Sequence, residues 1–141
     1  MREYFLLAIG IVGGVITSSL GGWDSALQTL FLFMATDYLT GFIVAAVFKK
    51  SQKSDCGAFS SVAGIKGLIK KGMLLVLVMI GYHFDILIGW EFARYAIIVA
   101  LIVNEAGSII ENAGLIGVPI PNALKQAIDI LKKKAGDGDD E

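Results

Sequence analysis

Four long apolar runs, residues 4–20, 27–48, 72–90 and 92–110, constrain this chain more than any other feature of its sequence. Each holds about 17 to 22 residues, and at ~1.5 Å rise per residue a helix of that length covers roughly 26–33 Å, the thickness of the hydrocarbon core of a bilayer. A helix buried in a soluble domain carries a broad polar stripe, whereas these runs contain only a few strongly polar residues each. Over all 141 residues the hydrophobic share is 55% without the 17 Gly, and the charged share is only 18%. One soluble core of this size cannot hide that much hydrocarbon. The expected fold class is therefore an all-α integral membrane protein, with four transmembrane helices as two hairpins, or three spans if the first run does not cross. A cleaved signal sequence fits the first run poorly, because Glu3 cancels Arg2 and no A-x-A site follows.

Lysine placement orients the runs. Lys49, Lys50, Lys53, Lys66, Lys70 and Lys71 lie between the second and third runs against one acid, Asp55, and Lys125, Lys132, Lys133 and Lys134 follow the fourth. The short turns at 21–26 and 89–94 hold one basic residue, Arg94, and place Trp23 and Trp90 where indole rings favour the headgroup layer. The positive-inside bias predicts both termini and the central loop in the cytoplasm, with the chain crossing its membrane several times. Residues 1–118 are expected to form the bundle, including an interfacial loop helix near 60–71, where Val62, Ile65, Leu68 and Ile69 recur at helical spacing. Lys49, Lys50, Lys66, Lys70 and Lys71 then sit at anionic headgroups on the membrane surface, with membrane lipids as partners. Pro119 and Pro121 interrupt any helix, so residues 119–134 read as a separate C-terminal amphipathic helix, and 135–141 as an acidic disordered tail. A shift of about 67 residues pairs Gly14 with Gly81, Trp23 with Trp90 and Asp37 with Asn104, which hints at a parallel duplication.

Polar residues inside the runs are the candidate functional residues. Asp37 falls near the middle of its run, where a carboxylate costs roughly 2.5–3.5 kcal/mol to insert, while about eleven Leu, Ile, Phe and Val contribute roughly −0.3 to −0.6 kcal/mol each. Insertion still wins, and the acid needs a partner or water. Candidate fates are pairing with a cation such as Arg94, protonation with a hydrogen bond, or hydration in a lumen. Thr40 and Gly41 share its face. In the fourth run Arg94 and Glu105 are about three helical turns apart, with Asn104, Ser108 and Asn112 beside that line, so one side of this helix belongs against protein or water. His83 and Asp85, late in the third run, are expected to snorkel toward the outer surface. Gly10, Gly14 and Ser18 form a small-xxx-small stripe that lets two helix backbones approach, within one chain or between chains.

Several functions are disfavoured by what the residues lack. A net charge of −1 gives no electrostatic case for nucleic acid, and one His with one Cys, Cys56, supplies neither a metal site, a disulfide framework nor a serine-type triad. No enzyme, cofactor or metal is expected.

The string Asp37-Tyr38-Leu39-Thr40-Gly41, the loop from Ser60-Ser61 through Gly64-Ile65-Lys66-Gly67 to Lys70-Lys71, and the stretch from Asn104-Glu105 to Ile109-Ile110-Glu111-Asn112, closed by Gly117-Val118-Pro119-Ile120-Pro121, carry a resemblance. In this order and spacing, over residues 27–131, they resemble the toxin-secretion and phage-lysis holins of Gram-positive bacteria and their phages. The resemblance implies a small cytoplasmic-membrane protein that assembles into a large homo-oligomer and permeabilises the membrane, so that a muralytic enzyme (endolysin) or a large toxin leaves as cargo. A small ion channel or transporter subunit, or an antiholin-like membrane scaffold, is the alternative that the same residues allow.

Overall fold

The computed structural model describes residues 1–50 and 60–136, and among these the chain is all-helical. Five helices follow one another: α1 (Arg2–Ser19), α2 (Ser25–Ala46), α3 (Ser61–Ile88), α4 (Ala93–Leu115) and α5 (Asn122–Gly136). Lys53, Asp55, Cys56 and residues 137–141 lie outside the described residues. Three helices, α2, α3 and α4, are long and apolar enough to cross a membrane. The 18-residue α1 begins with Arg2 and Glu3, is apolar over most of its length and ends in Thr17, Ser18 and Ser19.

Local chemistry sets the helix ends. Asp24 caps α2, its carboxylate accepting from Leu27 N–H at 2.9 Å, and the Ser60 hydroxyl accepts from Ala63 N–H at the start of α3. Gly89 ends α3 in the left-handed region at φ 77°, which a residue without Cβ adopts freely. At the start of α4 the cap comes from another helix. Asp85 of α3 accepts from the backbone N–H groups of Phe92, Ala93 and Arg94 at 3.2, 2.8 and 2.9 Å, so it is buried in the α3–α4 turn and does not snorkel as expected.

The bundle is built around α4. Helices α2 and α4 run parallel, since Asp24 and Arg94 meet at one end and Asp37 and Asn112 meet further along, and α3 runs antiparallel to both. Leu27, Leu30, Met34, Val78 and Ile98 form the buried core with Leu20, while Ile97, Leu101, Leu74 and Leu75 pack against it. Outward-facing Leu32, Leu39, Phe42, Leu77, Ile80, Phe84, Tyr95 and Val99 stay exposed, as the side chains of a lipid-facing belt do. Trp23 and Trp90 both lie at the end where α2 and α4 begin, each more than half exposed.

Two expectations change. The segment at 60–71 is helical, but it forms the first turns of the 28-residue α3 and not a separate interfacial helix. Gly64, Gly67 and Gly72 weaken local helix preference without breaking it, because the Ser60 cap and the apolar turns beyond hold both ends. Helix α1 buries no residue, unlike α3, which packs on α4, so the two halves of the bundle are not equivalent as a duplication would make them. Helix α5 extends two residues past the expected end at 134 and packs on α4.

Candidate functional site

Two polar ties cross the three-helix bundle, and the apolar core lies between them. Asp24 and Asp37 are about thirteen residues apart on α2, and Arg94 and Glu105 about eleven apart on α4, which separates the ties by roughly 17–20 Å along the helices.

The first tie closes the end that carries the tryptophans. Arg94 reaches back from α4 to the α1–α2 turn, donating from Nη1 to Asp24 Oδ2 at 2.6 Å, from Nε to the Leu20 carbonyl at 2.5 Å and from Nη2 to the Gly22 carbonyl at 3.2 Å. A planar guanidinium suits this task because its donors fan out in fixed directions. Gly21, at φ 89°, lies so close that an added Cβ would sit 2.6 Å from Arg94 Nε. The Arg94 hydrogen bond holds the Asp24 carboxyl below the ordinary aspartate range, against the opposing pull of its partial burial.

The second tie lies deeper, where hydrocarbon would surround the bundle. Lys71 of α3 places Nζ 2.7 Å from Asp37 Oδ2 and 2.5 Å from Glu105 Oε2, so one ammonium bridges α2 and α4. Asn112 completes it, donating from Nδ2 to Asp37 Oδ1 at 3.2 Å and to Thr40 Oγ1 at 3.0 Å, while the Thr40 hydroxyl donates to the Asp37 carbonyl at 3.0 Å. Asp37 and Glu105 are only 4% and 3% exposed, which makes this pairing compulsory in a medium with no water. Antiparallel register explains the meeting. Asp85 fixes α3 level with the start of α4, and from there Lys71 is about fourteen residues down α3 and Glu105 about twelve down α4, roughly 21 and 18 Å.

Beside the second tie, α3 diverges from α2 and leaves a cleft of about 450 Å³. Its walls include Gly41 of α2, Lys66, Gly67 and Lys70 of α3, and Asn104 and Ser108 of α4. Gly107 of α4 admits Lys132 of α5, whose ammonium lies 3.6 Å from Glu111, and both side chains border the same cleft. Among the described residues, no group of three His, Cys, Asp or Glu side chains comes together as a metal site would require.

Residues 14–133 match the model of the bacteriophage holin family. The chain belongs to that family. It is similar to an uncharacterised 14.9 kDa protein of the nagH 3′ region of Clostridium perfringens, 37% identical over 94% of this chain and 96% of that one. An uncharacterised protein of Listeria innocua is 34% identical, with 94% and 91% of the two chains covered. Another, from Halalkalibacterium halodurans, is also 34% identical, with 94% and 96% covered. No solved structure matches the chain. The holin family is not a family of enzymes, and three membrane-length helices agree with a membrane protein.

Of the residues singled out in the sequence, Asp37, Thr40 and Glu105 meet in the second tie, and Gly41, Asn104 and Ser108 line the cleft beside it. Arg94 belongs to the other tie and is not the partner of Asp37. Lys71 is not a surface lysine, its side chain being 15% exposed, whereas Lys66, Lys70, Lys49 and Lys50 are exposed. Gly10, Gly14 and Ser18 are exposed on α1, and among the described residues a Cβ at Gly10 or Gly14 would meet nothing within 4 Å. Sequence reasoning missed the roles of Lys71, Asp24 and Asp85. Counting outward from the turn does not bring Lys71 level with Glu105; only the Asp85 cap, which sets α3 level with the start of α4 four residues before Gly89, does so.

Proposed function

We propose that this chain is a holin-like pore former of the bacterial cytoplasmic membrane, which oligomerises with its own copies and lets a lytic enzyme or a large toxin out. Its helices run with the lysine-bearing ends of α2, α3 and α4 in the cytoplasm, following the positive-inside rule. The observation that carries the reading is the second tie. Asp37, Lys71, Glu105 and Asn112 form a polar layer inside a bundle whose outside is apolar, and it opens on a cleft. In one chain these groups satisfy one another. Parting α3 from α2 and α4 turns the same groups into a water-compatible wall, which a ring of copies could line. Helix α1, whose Gly10, Gly14 and Ser18 stripe is exposed among the described residues, supports contact between copies. No step in this function requires catalysis, a cofactor, a metal or nucleic acid.

Controlled expression in a bacterium, with a muralytic enzyme retained in the cytoplasm, tests the reading. The expected result is a delay, then abrupt loss of membrane potential together with enzyme release. Substrate-specific uptake or ion flux without enzyme release makes the chain a transporter or channel subunit. Intact potential at full membrane expression, with altered timing of a second holin, makes it an antiholin-like scaffold.

A further inference from the structure

Helix α5 is the element whose seat agrees least with a surrounding bilayer. Past the turn at Gly117 the chain doubles back along α4, so that a Cβ at Gly107 would lie 3.4 Å from Ile128 Cγ2 and 2.5 Å from Lys132 Cε. Gly107 is about thirteen residues along α4 from Arg94, roughly 20 Å, and a ~30 Å hydrocarbon layer that begins by Trp23, Trp90 and Arg94 ends about 10 Å further on. Seated there, α5 holds the exposed Lys133 and Lys134 at that depth, and the sequence runs on from Gly136 into Asp137, Asp139, Asp140 and Glu141. Charges at that level are costly without water or a partner. Lys132 has Glu111 at 3.6 Å, but the two side chains are 38% and 70% exposed, which makes the tie a loose one. Among the described residues, Lys133 and Lys134 form no ion pair.

The same helix suits the surface of a bilayer. Leu124, Ala127 and Leu131 recur at helical spacing on a flank that α4 leaves open, and the two leucines are 44% and 46% exposed. Lys132 and Lys134 border that flank, with Lys125 and Lys133 beyond it, so their stems can lie over lipid while their ammonium groups meet phosphates. We infer that in a membrane α5 leaves α4 and lies in the lipid surface on the lysine-bearing side, with Leu124, Ala127 and Leu131 at the acyl boundary. Residues 116–121, outside both helices, supply the reach. A second copy of α5 fits the flank less well, because lysines on both borders would face lysines. Leaving α4 uncovers Gly107 and withdraws Lys132 from Glu111 and from the cleft that both border. The inference rests on α2 to α4 crossing a membrane and not on permeabilisation, so it stands or falls separately from the pore reading.

The test uses the full-length protein in vesicles of equal phosphatidylglycerol and phosphatidylcholine, with Cys56→Ser so that introduced cysteines carry the only labels. A nitroxide pair at Asn104→Cys and Ala127→Cys reads the separation of α4 and α5. It is expected to exceed the docked separation by about 10 Å or more, the climb from Gly107 to the surface. A fluorophore at Ala127→Cys alone is expected to be quenched by lipids with a nitroxide at the headgroup, and less by mid-chain nitroxides or aqueous iodide. Leu124→Asn with Leu131→Asn lowers the ratio of lipid-bound to free helix roughly a hundredfold, about tenfold for each leucine, so that iodide gains access. Gly107→Leu blocks the seat on α4 and leaves both readings in vesicles as in the wild-type chain. A docked separation in vesicles overturns the inference, as does a changed reading in Gly107→Leu or unaltered lipid contact in the double asparagine variant. So does a label at 127 that iodide quenches in the wild-type chain, or one that neither lipid nor iodide reaches, which marks a second copy on that flank. A fluorophore at Leu77→Cys checks the spanning of α3 separately. It is expected at mid-chain depth, and its quenching by iodide would overturn the spanning reading and this inference together.

Discussion

An ammonium shared by two nearly buried carboxylates is hard to remove alone, because its loss leaves two like charges close together. Lys71→Met is therefore expected to destabilise the bundle by about 3–5 kcal/mol, more than Asp37→Asn or Glu105→Gln, at about 1–3 kcal/mol each. Replacing all three by Leu, Met and Leu together is expected to recover most of that loss. Thermal unfolding in detergent measures the order. In cells, Asp37→Asn and Lys71→Met are both expected to permeabilise the membrane earlier than wild type at matched expression, since either loosens the tie that keeps α3 on α2 and α4. Asp24 answers differently. Its folded carboxyl titrates below the ordinary range, so its pairing with Arg94 stabilises fully above that range and fades as pH falls through the lowered value. Because the Asp24 side chain is 44% exposed, Asp24→Asn should cost no more than about 1 kcal/mol at neutral pH, with the difference vanishing in acid. Asp37 and Glu105 stood out in the sequence because carboxylates inside apolar runs have few explanations. Lys71 did not, because it follows Lys66 and Lys70 and so looked like the last of a surface series.

The helices differ in how tightly they are held. Gly81 of α3 faces α4 so closely that a Cβ would sit 2.6 Å from Ile97 Cδ1 and 3.2 Å from the Arg94 backbone. Gly81→Ala should therefore lower stability by about 1–3 kcal/mol by forcing α3 outward. Gly10→Ala and Gly14→Ala meet nothing and should leave the chain as stable or up to about 1 kcal/mol more so, from helix preference alone. If α1 joins copies through these positions, Gly14→Leu reduces crosslinked oligomers while leaving unfolding of the single chain unchanged. Run length and hydropathy made α2 and α4 legible within a few residues. The true start of α3 was obscured, because glycines and lysines at 64–72 read as a loop boundary while the Ser60 cap and continuous backbone bonding carry the helix through them. The isolation of α1 was not legible at all, since an apolar run with a small-residue stripe looks the same whether its partner is in the chain or in another copy.

As a whole, the molecule is a three-helix bundle tied at two depths, with an apolar helix that buries none of its residues before it and an amphipathic helix after it, in a family of phage holins. Membership of the family and membrane-length helices were both legible from motif order and run length. The depth at which polar groups meet required the fold. On the proposed pore-forming function that depth matters, because a tie at the surface would leave the interior sealed when broken, whereas one within the hydrocarbon would open it. The most direct test uses the purified full-length protein in liposomes loaded with both a small dye and a folded protein of enzyme size. Release of the two cargoes together, rising steeply with the number of chains per vesicle, is the expected result. Release of the dye alone, or of neither at densities where the chain is fully inserted, would contradict the account.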